Sequence, residues 1–583
     1  MSNKTIEYRD RKGSKGSIGY TKRSNISKRR PLNRFEMESP QPESVSTSAK
    51  KLKLSKDCYN VEVDTAFGYR LLNFIAVFSA ISEVVVCKTC KSNVKFTETG
   101  KRGLGFKIVI SCENCEQTFI PSCPFVDKGY EINRRIIFAM RLLGIGVNGI
   151  EKFCAFMDLP RPIFHSFYDK VVRTISVATE AVCQQSMEKA TQEEKAKSIE
   201  NNEINGITVS GDGTWRKRGF SSLYGLVSLI GWFSGKVIDI VVKSKYCKAC
   251  EFWNKKTGTE EYAEWLETHP QECQANHEGS AGKMEADAVI EMFQRSETKH
   301  SIKYENYIGD GDSKTFQSIL DAQPYEKFTV NKKECINHVQ KRMGTRLRNL
   351  KRTTKGLGGK GKLTGKLIDE LSIYYGLAIR RNHSSIEKMK NEIWATLYHK
   401  LSTDDKPQHE KCPPGENSWC SWQKAKATNS LHKYSHKPAL PQHIFDTIKP
   451  IYEDLSRDDL LNRCIGGFTQ NSNESFNATV WSVAPKSVSS GKTIMDIAAT
   501  IAVCVYNDGL SSIMKIMEIL GITIGPNCHN FCADADTRRI KFSERSLTDA
   551  AKEARLSSQS ARKEKEEENI NVEGQLYGAG IAD

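Results

Sequence analysis

No run of apolar residues in this 583-residue chain approaches the ~18 needed to cross a membrane. A membrane role is therefore not expected. The first residues are polar and basic without an apolar stretch, which argues against a secretory leader. Internal repeats and sustained heptads are also missing, which excludes a solenoid and a coiled-coil rod. Acids are nearly absent from one segment: residues 331–366 hold twelve Lys/Arg against Glu334 alone. Residues 1–56 hold fifteen Lys/Arg against five acids, and the whole chain carries +16, so the remainder is slightly acidic. Two local basic regions on an acidic body point to a polyanionic partner.

What is present is consistent with a multidomain globular chain, 38% hydrophobic and 27% charged. Its eighteen cysteines include several C-x-x-C pairs, and without secretory features they favour zinc over disulfides. The basic clusters Lys22-Arg23, Lys28-Arg29-Arg30 and Lys50-Lys51 suit nuclear import, so a nuclear location is expected.

Composition and periodicity divide the chain. Residues 1–56 lack a hydrophobic period and read as a disordered basic tail. Residues 57–128 hold the first cysteine pairs and read as a zinc-ribbon module. Residues 129–203 read as helical, with Gly144 and Gly146 breaking the first helix and Pro160 and Pro162 ending the second. Three short helices with tight turns would make either a helix-turn-helix DNA reader or a plain helical linker. From residue 204 the period changes. Ile204–Ser210, Leu223–Trp232 and Val237–Val242 read as strands, Lys283–Arg295 as a helix and Asn306–Gly309 as a fourth strand. This is an α/β order, the opening of an RNase H-like mixed sheet spanning 204–330 with an insertion at 244–282. Residues 331–460 read as a basic helical insertion, 461–530 as the C-terminal helices of the core, and 531–583 as a charged tail.

Three carboxylates stand in settings that suit catalytic metal. Asp212 ends an apolar run in Gly206-Ile-Thr-Val-Ser-Gly-Asp-Gly-Thr-Trp215. Asp310 ends another in Tyr304-Glu-Asn-Tyr-Ile-Gly-Asp-Gly-Asp-Ser313. Glu474 opens a helical segment in Thr469-Gln-Asn-Ser-Asn-Glu-Ser-Phe-Asn477. Two aspartates at ends of neighbouring strands plus a helical glutamate suit a pair of Mg²⁺ or Mn²⁺ ions driving phosphoryl transfer. Asp312 competes with Asp310, although it is also placed to cap the helix that follows. The flanking glycines would let a phosphate backbone approach.

Two zinc sites are expected apart from these acids. Cys87, Cys90, Cys112 and Cys115 form two C-x-x-C pairs at ribbon spacing. Cys247, Cys250, Cys273 and His277 would staple the 244–282 insertion, with His269 as a substitute ligand. Cys123 is a spare thiol. Cys335 and His338 are candidates for zinc or for a structural role. With His399, His409, Cys412 and Cys420 they make a third cluster, four of whose members could bind another zinc, but no spacing rule selects which. Lys341, Arg342, Arg346, Arg348, Lys351 and Arg352 put cations on one or two helical faces ahead of a Gly-rich cationic loop, a surface for DNA phosphates.

Taken together these motifs give the chain a family likeness. It resembles the Mutator-like transposases of animals, across roughly residues 60–530. The resemblance rests on Gly211-Asp-Gly-Thr-Trp215, Cys247-Lys-Ala-Cys250, Asn276-His-Glu-Gly-Ser-Ala-Gly-Lys-Met-Glu285 and Tyr307-Ile-Gly-Asp-Gly-Asp-Ser313. It continues through Glu334-Cys-Ile-Asn-His338, Cys412-Pro-Pro-Gly-Glu-Asn-Ser-Trp-Cys420 and Thr469-Gln-Asn-Ser-Asn-Glu-Ser-Phe-Asn477. It implies an RNase H-like nuclease core interrupted by a helical insertion, with an Asp-Asp-Glu triad at Asp212, Asp310 and Glu474. The implied activity is cut-and-paste transposition, with double-stranded DNA (transposon ends and target) as partner and a homo-oligomer as the working form. A recruited DNA-binding protein that keeps the fold without catalysis, or a nuclease without strand transfer, would carry the same motifs.

Overall fold

The structure is a computed structural model. It describes residues 46–55, 60–161, 164–217, 222–309, 313–359 and 361–548, with positions 550, 551, 554, 555 and 558. The chain divides into two units, one of Ser39–Glu544 and one of Met1–Glu38 and Arg545–Asp583. The sheet and packing described below belong to the first unit.

Its centre is a five-stranded sheet of β1 (Ile207–Trp215), β2 (Tyr224–Gly231), β3 (Val237–Ser244), β4 (Tyr304–Gly309) and β5 (Asn331–Glu334), in the order β5-β4-β1-β2-β3. The first three strands form an antiparallel meander, whereas β4 pairs parallel with β1 and β5 parallel with β4. Parallel neighbours need a crossover. In chain order the helices around the sheet begin with α1 (His165–Glu200), then α2 (Ala281–His300) between β3 and β4, and α3 (Ser313–Ala322) between β4 and β5.

Every residue of β2 is buried, because both faces of the sheet are covered. Leu226 and Ile230 pack with α1, while Val227 and Leu229 pack with Val289, Met292 and Phe293 of α2. Half-buried ion pairs to the buried Asp239 fix α2 to β3, with Arg295 Nη2 2.6 Å and Lys299 Nζ 3.0 Å from Asp239 Oδ1. At the β2–β3 turn, Glu194 of α1 accepts the backbone N–H groups of Phe233 and Ser234 at 2.9 and 2.6 Å.

After β5 come α4 (Ile336–Thr353), α5 (Gly365–Arg381), α6 (Ile386–Tyr398), α7 (Gln442–Leu455) and α8 (Asp458–Cys464). They enclose a core of their own. Ile336, Val339, Met343 and Leu347 form its α4 stripe at helical spacing, facing Tyr375, Ile393, Ile448 and Tyr452. The chain then returns to the sheet as α9 (Asn471–Val483), α10 (Lys492–Asp508), α11 (Ser511–Ile519) and α12 (Pro526–Leu547). α10 is apolar on nearly all sides because it is buried on nearly all sides. Among the described residues no helix is long and apolar enough to cross a membrane.

Several elements differ from the sequence expectation. β1 continues through Asp212 to Trp215, so Asp212 lies within the strand rather than at its end. Residues 331–334 form the edge strand β5 instead of opening the helical segment; their sequence, Asn-Lys-Lys-Glu, has no apolar alternation to reveal it. The third expected helix and the charged segment after it are one 36-residue helix, α1, whose buried face lies in the core. Part of the N-terminal tail is ordered as the helix Thr47–Ser55, with Ala49, Lys51 and Leu52 buried and Lys51 Nζ 3.5 Å from the Tyr506 ring centre. Residues 531–547 belong to α12. The glycines beside Asp212 also serve packing, not open space. A Cβ on Gly211 would fall 2.5 Å from the Tyr307 ring, and one on Gly213 would fall 2.5 Å from Trp215 and 2.9 Å from Glu285 Oε2.

Gly211→Ala should therefore destabilise the fold by about 1–3 kcal/mol through overpacking. Denaturant unfolding checks this, and wild-type stability in the variant would contradict it.

Candidate functional site

A ladder of side-chain amides docks α9 against β1. Gln470 Nε2 donates to Gly211 O at 2.7 Å and Asn473 Nδ2 to Ser210 O at 3.1 Å, while Ser210 Oγ donates to Asn473 Oδ1 at 2.7 Å. Asn477 Nδ2 donates to Asp212 Oδ2 at 2.8 Å, and Trp481 Nε1 donates to Thr214 Oγ1 at 2.8 Å. Residues 470, 473, 477 and 481 lie on one face of the helix, and Ser210, Asp212 and Thr214 on one face of the strand. Phe476 and Val480 carry the apolar contact on an adjacent stripe.

This docking brings two of the expected acids into one region. Asp212 is half-buried on β1, and Glu474 is exposed in the first turn of α9, one turn from Asn477. Asp310 and Asp312 lie outside the described residues. The strand before them, β4, runs parallel to β1 with Ile308 opposite Ser210. Two amide oxygens flank Glu474 along the helix, Gln470 Oε1 and Asn477 Oδ1. Both are buried and find no hydrogen-bond donor among the described residues.

The four cysteines expected in the ribbon come together in a group that could hold zinc. Cys87, Cys90, Cys112 and Cys115 converge with all ligand atoms within 4.8 Å. The Cys87–Cys115 and Cys90–Cys112 sulfurs are 3.8 and 3.5 Å apart, close to the edge of about 3.8 Å that Zn–S bonds of ~2.3 Å give a tetrahedron. Hydrogen bonds from the Ser92 backbone and side chain hold the Cys90 thiol down at about 6, whereas contacts with the other three sulfurs push the Cys115 thiol up to about 12. Three short strands, Lys95–Arg102, Gly105–Ser111 and Thr118–Pro121, carry the group. Cys123 is buried apart from it.

The second group requires a correction. Cys247, Cys250 and Cys273 gather with His269, not His277. His269 Nε2 stands 3.0 Å from Cys250 Sγ and 3.6 Å from Cys247 Sγ, and Cys250 Sγ is 3.6 Å from Cys273 Sγ. His277 is engaged elsewhere, with Nδ1 3.2 Å from Asp287 Oδ2 and Nε2 3.1 Å from Ser280 O at the start of α2. Both histidines are four positions from Cys273, so spacing could not choose. The helix Glu260–Thr268 decides by delivering His269, whose ring stacks on Trp265 at 4.2 Å.

Cys335 and His338 enter no metal-ligand group among the described residues. Cys335 caps α4 and packs with Ile308 and Phe468, and the next amide, Ile336 N, donates to Phe468 O, which ties α4 to the approach of α9. Of the six cations expected on DNA, three pair with acids among the described residues. Arg342 Nη2 is 2.7 Å from Glu334, Arg346 pairs with Asp454, and Arg348 pairs with Asp369. These acids come from β5, α7 and α5, so the bare helix sequence concealed them. Lys341 and Arg352 are exposed and Lys351 half-buried on the same helix. Sequence reasoning missed Gln470, Asn473, Asn477 and Trp481; their spacing of three or four residues on one helix face was the available signal.

Zinc measurements separate the two histidines: His269→Ala should lower bound zinc by one equivalent, whereas His277→Ala should retain it. The reverse pattern would restore the spacing-based assignment.

The comparisons with known proteins agree with the motifs. No curated protein and no solved structure matches the chain. The profile of the Mutator-like transposase family matches residues 68–420, more than half of the length, from the ribbon through the sheet and into the helical segment. The chain belongs to the Mutator-like transposase family.

Proposed function

We propose that this protein is a DNA transposase that cleaves strands at terminal inverted repeats and transfers them to target DNA, on an RNase H-like core. The sheet order and its parallel β1–β4 pair support the core assignment. The observation that carries the catalytic reading is the hydrogen bond from Asn477 to Asp212, on the helix turn that also bears Glu474. Asp212, Asp310 and Glu474 would hold the metal, with Asp312 as the alternative to Asp310. When bound, two Mg²⁺ or Mn²⁺ ions supply activation of a water or 3′-hydroxyl and stabilisation of the leaving oxygen.

The chain's own residues set the geometry for that chemistry. Asn477 fixes one oxygen of Asp212 and so restricts the carboxylate's rotation. Gln470 and Asn473 fix the register of α9 on β1, and with it the height of Glu474 along the strand. Lys341, Lys351 and Arg352 would meet phosphates directly. Arg342, Arg346 and Arg348 would do so by exchanging their acidic partners. For Arg346 and Arg348 this exchange costs little, because exposed ion pairs are worth about 0–1 kcal/mol. Double-stranded DNA, a nuclear location and a homo-oligomer working on paired ends complete the proposal.

The test is metal-dependent nicking of duplexes taken from the DNA on either side of the gene, searched first for inverted repeats. Wild type should nick with Mn²⁺, and Asp212→Ala or Glu474→Ala should lower the rate on the order of 10²- to 10³-fold or more. Unchanged nicking in either variant would overturn the assignment of that acid. DNA binding without any cutting would favour a recruited, non-catalytic DNA-binding protein.

A further inference from the structure

Four metal-ligating side chains converge in the connection between α6 and α7, apart from the acids and from both zinc groups above. His399 directly follows α6, Cys420 caps the short helix Ser421–Ala427, and His409 and Cys412 lie on the loop between them. Their ligand atoms all lie within 4.8 Å of one another, and His409, Cys412 and Cys420 are buried. His399 Nδ1 and His409 Nδ1 are 3.1 Å apart. From these two nitrogens Cys420 Sγ is 3.7 and 3.4 Å away, and Cys412 Sγ is 3.9 and 3.8 Å away. A tetrahedron with ordinary zinc bond lengths has edges of about 3.3 Å between nitrogens and about 3.6 Å between nitrogen and sulfur. The four atoms thus already stand close to the corners of a zinc site.

A second observation concerns the far side of His409. Its Nε2 is 2.9 Å from His436 Nε2, and His436 Nδ1 is 2.7 Å from Asp404 Oδ1. One proton assignment satisfies the chain. His436 donates from Nδ1 to Asp404, and His409 donates from Nε2 to the bare His436 Nε2. The His409 Nδ1 lone pair is then left facing His399 and the two sulfurs. A carboxylate and an imidazole behind a ligating histidine are what fixes its tautomer and orientation in metal sites.

The segment needs such a staple. Between residues 402 and 441 the α-helical structure is limited to Ser421–Ala427, and the buried apolar side chains other than the two cysteines are Trp419, Ala425 and Leu440. A loop this long without a core of its own requires another constraint. Trp422 stacks on His409 at 4.8 Å and Trp419 meets His399 edge-on at 5.4 Å, which closes the site from water.

We propose that His399, His409, Cys412 and Cys420 bind a third, structural zinc ion, with His436 and Asp404 as the outer pair that fixes His409. The inference is independent of the transposition chemistry. Elemental analysis of the full-length chain tests it. Cys412→Ser/Cys420→Ser should contain one equivalent of zinc less than wild type, and equal zinc content in the two would overturn the proposal. His436→Gln leaves all four ligands in place. It should keep the wild-type zinc content but lose one equivalent to a chelator about 10- to 100-fold faster. A release rate identical to wild type would overturn the outer pair, and it remains a readout if the double variant fails to fold.

Discussion

The contact between α9 and β1 is the constraint on which the rest of the core depends. It joins residues 263 positions apart in sequence, Ser210 and Asn473, across a helical segment with its own hydrophobic core. The two kinds of contact divide the work. A net hydrogen bond is worth about 1 kcal/mol, whereas burying a large apolar side chain contributes about 1.5–3 kcal/mol. Phe476 and Val480 together therefore contribute about as much as the five hydrogen bonds do. The amides supply register, because a shift by one residue would leave several buried polar groups unpaired. Register is what matters for the acids, since it sets where Glu474 stands relative to Asp212.

The surrounding elements hold β1 from its other side. Tyr307, Trp215 and Glu285 fill the space over Gly211 and Gly213. The Cys/His segment between β3 and α2 is closed at its base by Asn276, whose side chain donates to Val242 O and accepts from Ser244 N. Cys247, Cys250, His269 and Cys273 lie within that closed loop, and α2, which starts five residues after Asn276, carries Glu285 to the strand. A metal at this group would stabilise the entry into α2 and, through it, the packing around Asp212.

Much of this was legible in the sequence. The alternation in Ile207–Ser210 and the apolar run of β2 gave the strands, and the C-x-x-C pairs gave the ribbon group. The failures have physical causes. β5 is short, polar and held by pairing with β4 rather than by its own side chains. His269 and His277 have equal spacing from Cys273, and only the helix frame separates them. The glycines beside Asp212 looked like room for phosphate, but they accommodate aromatic rings. The basic face of α4 looked free because its acidic partners lie on other elements. The third metal group draws ligands from a helix end and a loop at spacings no motif encodes.

On the proposed function, the docked helix and strand form a divalent-metal site. Manganese binding to the full-length chain, followed by electron paramagnetic resonance, tests it most directly. Wild type should bind Mn²⁺, Asp212→Ala and Glu474→Ala should lose it, and Asn477→Leu should show an altered spectrum with the zinc content unchanged. Wild-type Mn²⁺ binding in both acid variants would contradict it.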